Sequence, residues 1–220
     1  MGREPAAQHR GAARAAGRLN RVRARRLQRS DYRRMRWKNG LGWTSEIAIA
    51  PAAADFAAGA FDWRISLAEV EADSDFSPLP GVDRTIALLE GEGMLLSEGT
   101  IETVLARRGQ LHGFSGDAAV RCRLLGGACR DLNVMTRRDA YAHRAWFRPL
   151  VGPMVFFDEP GVTWVVHVAG GEARVQDAPE LPAIAQGETL LLAPGGDDAK
   201  QAVIAGGGEV LLVRLEALSR

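Results

Sequence analysis

The chain has 220 residues, of which 46% are hydrophobic and 25% charged, and its formal net charge is +1. This composition is ordinary for a globular protein, and no apolar run approaches the roughly 20 residues that a membrane-spanning helix needs. Two cysteines, Cys122 and Cys129, are too few for a disulfide framework, so the sequence predicts a cytoplasmic protein without a membrane partner.

The basic residues are concentrated at the start of the chain. Residues 1–36 contain twelve arginines and two acidic residues, whereas the remainder contains 16 basic and 25 acidic residues. Residues 1–20 are mostly Ala, Arg and Gly, so we expect a disordered extension that cannot offset the entropy of ordering. Such an arm could also grip phosphates or act as an organelle transit segment. Because the body is acidic and no aromatic residues separate the arginines, we expect no nucleic-acid partner.

The first distinctive stretch is a glycine-containing loop that leads into an alternating segment, residues 37–50. Gly40 and Gly42 permit a tight turn or a close backbone approach. From residue 43 onward, alternation with period two predicts a strand whose Thr44 and Glu46 point the same way, with Ala48 and Ala50 on that face too. An ordinary edge strand with solvated polar side chains would show the same pattern.

The rest of the first half is a series of short strand-like runs. Residues 22–27 and 61–68 predict strands, and the second of these places Arg64 and Ser66 on one polar face. Residues 84–96 contain two apolar runs about a glycine turn, which predicts a hairpin. Further strands are expected at residues 101–105, 120–125 and 131–135.

The second half repeats this organisation loosely. Residues 164–175 predict a hairpin about Gly170-Gly171, and residues 203–215 predict two closing strands separated by three glycines. Residues 139–153 predict a linker with a helical turn. Many short strands spaced by turns are typical of sandwiches and barrels, so the sequence predicts an all-β fold.

Sequence motifs for metal binding and catalysis are missing. Most cupins, one class of double-sheet jelly roll, hold a metal through clustered histidines and a glutamate. The four histidines of this chain lie too far apart in sequence for such a clamp: His9, His112, His143 and His167. Neither a nucleophile elbow nor a phosphate loop occurs. We therefore expect no metal, no cofactor and no assigned catalytic residue.

What remains is a set of polar residues on strands whose other face is apolar. They form three groups: Thr44 with Glu46, Arg64 with Ser66, and Asp131 with Asn133 and Arg137. From the pattern alone, solvent exposure and convergence inside a barrel are equally supported. A concave pocket with a few polar groups would bind a small molecule, and an arginine there would bind a carboxylate with charge assistance.

Three runs of the sequence resemble the HutD/Ves family of bacterial proteins: WKNGLGWTSEIA (37–48), FDWRISLAEVEADSDFSPLPGVDRTIALLEGEGMLL (61–96) and DLNVMTRR (131–138). The resemblance extends from about residue 26 to 215 and is looser in the second half. It implies a bicupin, that is, two jelly-roll (RmlC-like) cupin β-barrel units with little helix. The expected division is the extension 1–20, a first unit 21–138 that carries the ligand motifs, and a second unit 139–220.

The resemblance also implies a site. The family's motifs fall on the loop 37–40, on Thr44 and Glu46, on the run 62–66, and on Asp131 with Asn133. Leu41 and Trp43 depart from the family pattern, and Trp43 would put a bulky indole beside the site. The expected ligand-binding residues are Trp37, Lys38, Asn39, Trp43, Thr44, Glu46, Arg64, Ser66, Asp131 and Asn133.

Some family members are encoded with histidine-utilisation enzymes, which implies a binding protein for urocanate or formiminoglutamate that restrains that pathway. Our hypothesis is therefore a non-catalytic sensor of a small anionic metabolite. Arg64 would hold the carboxylate, Glu46 and Asn133 would bind a polar end, and Trp37 or Trp43 would stack on a planar part. Two alternatives remain open: a metal-independent isomerase or hydrolase with a carboxylate base, and a protein-interaction module. An exposed sheet edge could also pair two copies as a homodimer.

Overall fold

The computed structural model describes residues 22–195 and 201–219, and within them the chain is built from strands and two short 3-10 turns. The predicted extension 1–20 lies outside the described residues. The strands are β1 (Arg23–Leu27), β2 (Arg33–Arg36), β3 (Gly42–Ala50), β4 (Trp63–Val70), β5 (Ser74–Phe76), β6 (Val82–Glu90), β7 (Met94–Glu98), β8 (Ile101–Leu105), β9 (Leu111–Ser115), β10 (Val120–Leu124), β11 (Cys129–Arg137), β12 (Tyr141–Leu150), β13 (Met154–Phe157), β14 (Val162–Val175), β15 (Ile184–Ala185), β16 (Thr189–Ala193) and β17 (Gln201–Ala217). The 3-10 turns are Arg29–Asp31 and Phe56–Ala58. Neither turn could cross a membrane, and the described ranges contain no helix that could.

The strands form three antiparallel sheets. The central sheet has the order β2-β3-β4-β11-β6-β9, and the outer sheet has the order β5-β10-β7-β8. The second-unit sheet has the order β1-β16-β14-β17-β12, with β13 paired to β17 and β15 paired to β14. The expectation of an all-β fold with little helix is confirmed.

Each sheet interface has its own apolar core. The central and outer sheets enclose a cluster that includes Ile86 and Met94, which makes the first barrel. The opposite face of the central sheet packs on the second-unit sheet through residues such as Ile65 and Val213. A third cluster fills the second barrel, around Leu190. Because both faces of the central sheet are covered, its inner strand β11 is buried along almost its whole length.

Four predictions about individual segments are wrong. Residues 84–96 are not a hairpin, because β6 pairs with β11 and β9 while β7 pairs with β10 and β8, so the chain changes sheet at Gly91–Gly93. Residues 164–175 are one continuous strand, β14, and residues 203–215 lie within β17. The expected linker with a helical turn is strand β12, which pairs along its length with β17.

The first strand also crosses the expected division between units. Arg23 to Leu27 pair with β16 of the second-unit sheet, although they precede the first barrel in sequence. Leu27 enters the core between the sheets, and Val22 enters the core of the second barrel. The second unit is therefore assembled from both ends of the described chain.

Candidate ligand-binding site

The inward face of the central sheet in the first barrel carries most of the predicted polar residues. Partners directly opposite each other on neighbouring strands share a face, and the register of β3, β4, β11 and β6 defines three successive rungs of that face. In the order of those strands, the rungs are Thr44–Ala68–Asp131–Leu88, then Glu46–Ser66–Asn133–Ile86, then Ile49–Arg64–Met135–Arg84. The polar side chains of three separate strands are thus brought onto one face of the sheet.

A β-bulge in β3 decides which side chains reach this face. The register shifts between Glu46 and Ala48, so Ile49 rather than Ala48 shares the inward face with Glu46. The prediction of uninterrupted alternation through Ala50 is wrong here, because a bulge adds one residue to one strand and reverses the facing of all that follow. Ile47 and Ala48 instead join the core against the second-unit sheet.

Arg64 and Glu46 form a buried ion pair on this face. The guanidinium Nε donates to Oε2 of Glu46 at 2.7 Å, and the Arg64 side chain is only 3% exposed. The ring of Phe56 lies 3.9 Å below the guanidinium carbon. Burial lowers the pKa of Arg64, and the hydrogen bond that it donates to Glu46 opposes that effect. The described residues place no hydrogen-bond acceptor on its two terminal nitrogens, which leaves them available to a ligand.

Arg84 is a second guanidinium that the sequence analysis missed. It lies opposite Met135, 6% exposed, with the rings of Phe114 and Phe76 at 4.8 and 5.2 Å from its guanidinium carbon. Burial lowers the pKa of Arg84 to about 10, although the charge of Asp131 opposes the shift. One signal was present in the sequence, since alternation along β6 places Arg84 on the same face as the apolar Ile86 and Leu88.

Asp131 and Asn133 carry side-chain oxygens that have no protein partner among the described residues. Both carboxylate oxygens of Asp131, the amide oxygen of Asn133 and the Nε of Arg84 are buried without a hydrogen bond among the described residues. Asp131 is 1% exposed, and burial raises its pKa to about 7, with Arg84 acting in the opposite direction. Unpaired buried polar groups are costly and rare, so four such atoms on one face indicate a surface shaped to bind something polar.

The remaining predicted site residues lie at the margin or elsewhere. The indole Nε1 of Trp37 donates to Oγ1 of Thr44 at 2.8 Å, so this ring borders the inward face. Lys38 and Asn39 are exposed in the turn between β2 and β3, where Asn39 accepts a hydrogen bond from the backbone N–H of residue 41. Trp43 lies on the opposite face of the sheet, stacked with Arg34 and Arg36 at 4.3 and 4.9 Å.

The position of Trp43 on the opposite face has a simple cause. Side chains alternate along a strand, so the residue before Thr44 must point to the other face. The expectation of a bulky indole beside the inward-facing site is therefore wrong.

The three histidines of the described ranges each have hydrogen-bond partners from the protein. His112 contacts Glu98, His143 lies between Thr85 and Thr136, and His167 contacts Thr189. No set of three or more His, Cys, Asp or Glu side chains with metal-binding geometry occurs in residues 22–195 and 201–219.

The sequence profile of the HutD family matches residues 29–212. The chain belongs to the HutD family. An uncharacterised 21.2 kDa protein from the hutC 3′ region of Pseudomonas putida is 41% identical over 125 residues, which cover 55% of this chain and 63% of the relative. Protein Ves of Citrobacter koseri is 42% identical over 105 residues, covering 47% of this chain and 52% of the relative. These alignments thus span about half to two thirds of the curated relatives.

A solved structure of the family matches almost the whole fold. HutD from Pseudomonas fluorescens SBW25 superposes with a TM-score of 0.74 and 29% sequence identity, covering 90% of this chain and all of that one. The likeness includes both barrels, so the predicted bicupin architecture is confirmed. In this HutD-family fold, the inward-facing residues are the part of the predicted site that the structure gathers together.

Proposed function

We propose that this chain is a non-catalytic binding protein of the HutD/Ves type that senses a small carboxylate of the urocanate or formiminoglutamate class and thereby modulates histidine utilisation. The observation that carries the proposal is the set of buried polar atoms without partners on the inward face of the first barrel. A ligand that supplies their missing hydrogen bonds would remove the penalty of leaving them unpaired. The relative in the hutC 3′ region supports the link to histidine utilisation.

In this proposal, each end of such a ligand has its own binding residues. Arg64, oriented by Glu46 and Phe56, binds the carboxylate through its terminal nitrogens. Arg84 adds a second positive charge on the same rung, which favours a ligand with strong anionic character. Asn133 and Asp131 accept hydrogen bonds from an N–H-bearing end, and both candidate ligands carry such a group.

The experiment is isothermal titration calorimetry of the full chain with urocanate and with formiminoglutamate. Arg64→Ala removes one charge-assisted hydrogen-bonding group, so we expect its Kd to rise at least about tenfold. Arg121→Ala, which removes an exposed arginine from the outside of the same barrel, serves as the control and should leave Kd unchanged.

Circular dichroism establishes that each variant is folded before it is titrated. If a folded Arg64→Ala variant had the same Kd as the unaltered chain, Arg64 would not be a ligand-binding residue. Failure of both ligands to bind the unaltered chain would reject this ligand class.

A second function is favoured by one specific observation. A fully buried carboxyl group whose pKa is raised to about 7 is suited to act as a general base near neutral pH. In this alternative, Asp131 removes a proton from a small polar metabolite that Arg84 and Arg64 hold in place. Mass spectrometry of a metabolite mixture incubated with the chain distinguishes the two functions, because only an enzyme converts a component, and Asp131→Asn should then abolish the conversion.

A further inference from the structure

A cleft of about 180 Å³ lies between the two units, on the side of the central sheet that faces away from the barrel interior. This volume corresponds to about six water molecules, which suits a small metabolite. The central sheet contributes one wall, which includes Leu67, and β14 with the turn before β16 contributes the other. None of the predicted ligand-binding residues lines it.

His167 lines this cleft, and a chain of hydrogen bonds fixes its protonation. The Tyr32 hydroxyl contacts the carbonyl oxygen of Gly187 at 3.1 Å and Oγ1 of Thr189 at 2.8 Å, and Oγ1 contacts Nδ1 of His167 at 3.0 Å. A carbonyl can only accept, so Tyr32 donates to Gly187. Thr189 must then donate to Tyr32, and His167 must donate to Thr189 through Nδ1–H.

The proton count leaves Nε2 of His167 as a hydrogen-bond acceptor. Burial, together with the positive charges of Arg29, Arg130 and Arg108, lowers the pKa of His167 to about 3, so the ring stays neutral. Burial also raises the pKa of Tyr32 to about 12, which keeps its hydroxyl a donor. The described residues provide no donor to Nε2, and His167 is among the side chains that line the cleft. Nε2 of His167 is therefore a fixed hydrogen-bond acceptor in the cleft.

The rim of the cleft carries more positive than negative charge. Its arginines are Arg29, Arg34 and Arg130, and its carboxylates are Glu69 and Glu90. Glu69 is shared between Arg34 at 2.8 Å and Arg130 at 3.1 Å, and Arg130 also reaches Glu90 at 3.2 Å. Arg29 has no carboxylate partner among the described residues. Its guanidinium lies directly on Gly187, where any Cβ would overlap it.

We infer that the cleft between the units is a second binding site, which takes a small carboxylate that also carries an O–H or N–H donor. The carboxylate binds the unpaired guanidinium of Arg29, and the donor binds Nε2 of His167. His167 is fixed by the hydrogen-bond chain that ends on the carbonyl oxygen of Gly187, and Arg29 packs against the same glycine, so the two groups lie beside one turn. This inference does not depend on the barrel site.

Glycolate is the probe, because it combines a carboxylate with a hydroxyl donor, and acetate is its matched control without the hydroxyl. The full ¹⁵N-labelled chain is titrated with each, and the Nε2 resonance of His167 is followed by NMR. Glycolate should move this resonance saturably, because Nε2 gains a donor, and acetate should move it little. Arg29→Gln should raise the Kd for glycolate about tenfold or more.

Control variants distinguish glycolate binding in this cleft from glycolate binding in the barrel. Arg25→Gln, an exposed arginine on β1 that does not line the cleft, should leave the Kd for glycolate unchanged, and so should Arg64→Ala. No saturable shift with glycolate, equal shifts with glycolate and acetate, or equal losses in Arg29→Gln and Arg25→Gln would overturn the inference. A loss in Arg64→Ala but not in Arg29→Gln would place glycolate in the barrel instead, and would also overturn it.

Discussion

At the scale of single residues, Asp131 combines full burial with a carboxyl group that has no hydrogen bond among the described residues. Its cross-strand neighbours Ala68 and Leu88 are apolar, so nothing on its own rung compensates the charge. The positive charge of Arg84 lowers the pKa of Asp131, but by less than desolvation raises it. In the unliganded protein this carboxyl is therefore a source of instability, as expected for a group retained for binding or catalysis and not for folding.

The sign of the pH effect follows from the raised pKa of Asp131. The pKa is about 7 in the folded chain against 3.8 as the ordinary value, so ionisation favours the unfolded state. The protonated carboxyl of Asp131 therefore stabilises the folded chain relative to the ionised carboxyl. This contribution is complete below about pH 4 and is lost as the pH rises to about 7. Asp131→Asn cannot ionise, so its stability relative to the unaltered chain should increase over this range by on the order of 3 kcal/mol.

Thermal unfolding followed by circular dichroism at pH 4.5, 6 and 8 measures this difference. Asp75→Asn, an exposed carboxylate on β5 of the same barrel, is the control and should show no such trend. A constant difference between Asp131→Asn and the unaltered chain across the three pH values would show that Asp131 ionises normally.

Individual site residues can be predicted from the sequence only where alternation shows which face of a strand their side chains occupy. Alternation identifies Thr44 with Glu46, and Arg64 with Ser66, as pairs that share a face. Only the register between strands shows that both pairs share one barrel interior with Asn133. The sequence does not identify Arg84 as a site residue, because an arginine beside apolar residues on a strand suggests a solvated end, and only the register places Phe114 of β9 opposite it.

At the scale of elements, the predicted and observed strands differ most at glycines. The sequence predicts a turn at Gly170 and Gly171, yet β14 continues through them beside the glycines of β17. The two strands approach so closely there that a Cβ at Gly171 would overlap the carbonyl oxygen of Gly207. Local sequence cannot separate a glycine that turns the chain from one that lets two backbones meet, because the second depends on a partner about 35 residues away.

Where β14 and β17 approach closely, two glycines are predicted to respond differently to substitution by alanine. Gly171 has φ +78° and no space for a Cβ, so Gly171→Ala should cost roughly 3 kcal/mol or more through backbone strain and displacement of β17. Gly207 has open space at the Cβ position, so Gly207→Ala should cost less than about 1 kcal/mol. Urea unfolding gives both values. Equal midpoints for the two variants would contradict the close approach of the strands.

At the scale of the whole molecule, β1 ties the start of the described chain to the second unit. It completes the edge of the second-unit sheet beside β16, and Arg26 holds Glu188 with two hydrogen bonds of 2.8 and 2.7 Å. The chain then returns to build the first barrel. The family resemblance implies a first unit of residues 21–138, and only the long-range register shows that β1 pairs within the second-unit sheet.

This connection predicts that the two units do not unfold independently. A chain that begins at residue 28 lacks β1, which leaves the backbone of β16 unpaired on one side and removes Leu27 from the core between the sheets. Loss of that side chain alone costs about 2–5 kcal/mol. We therefore expect the shortened chain to be less stable by on the order of 4 kcal/mol, and the loss should appear in both barrels because Leu27 contacts the face that they share.

A chain that begins at residue 22 is the matched control, because it keeps all of β1 and removes only residues outside the described part. Its urea midpoint should equal that of the full chain, whereas the chain from residue 28 should unfold at lower urea. Tryptophan fluorescence and far-ultraviolet circular dichroism should give the same midpoint for each protein, as a single cooperative transition requires. If the chain from residue 28 kept the control's midpoint, β1 would be a surface attachment, and the shared core would not depend on it.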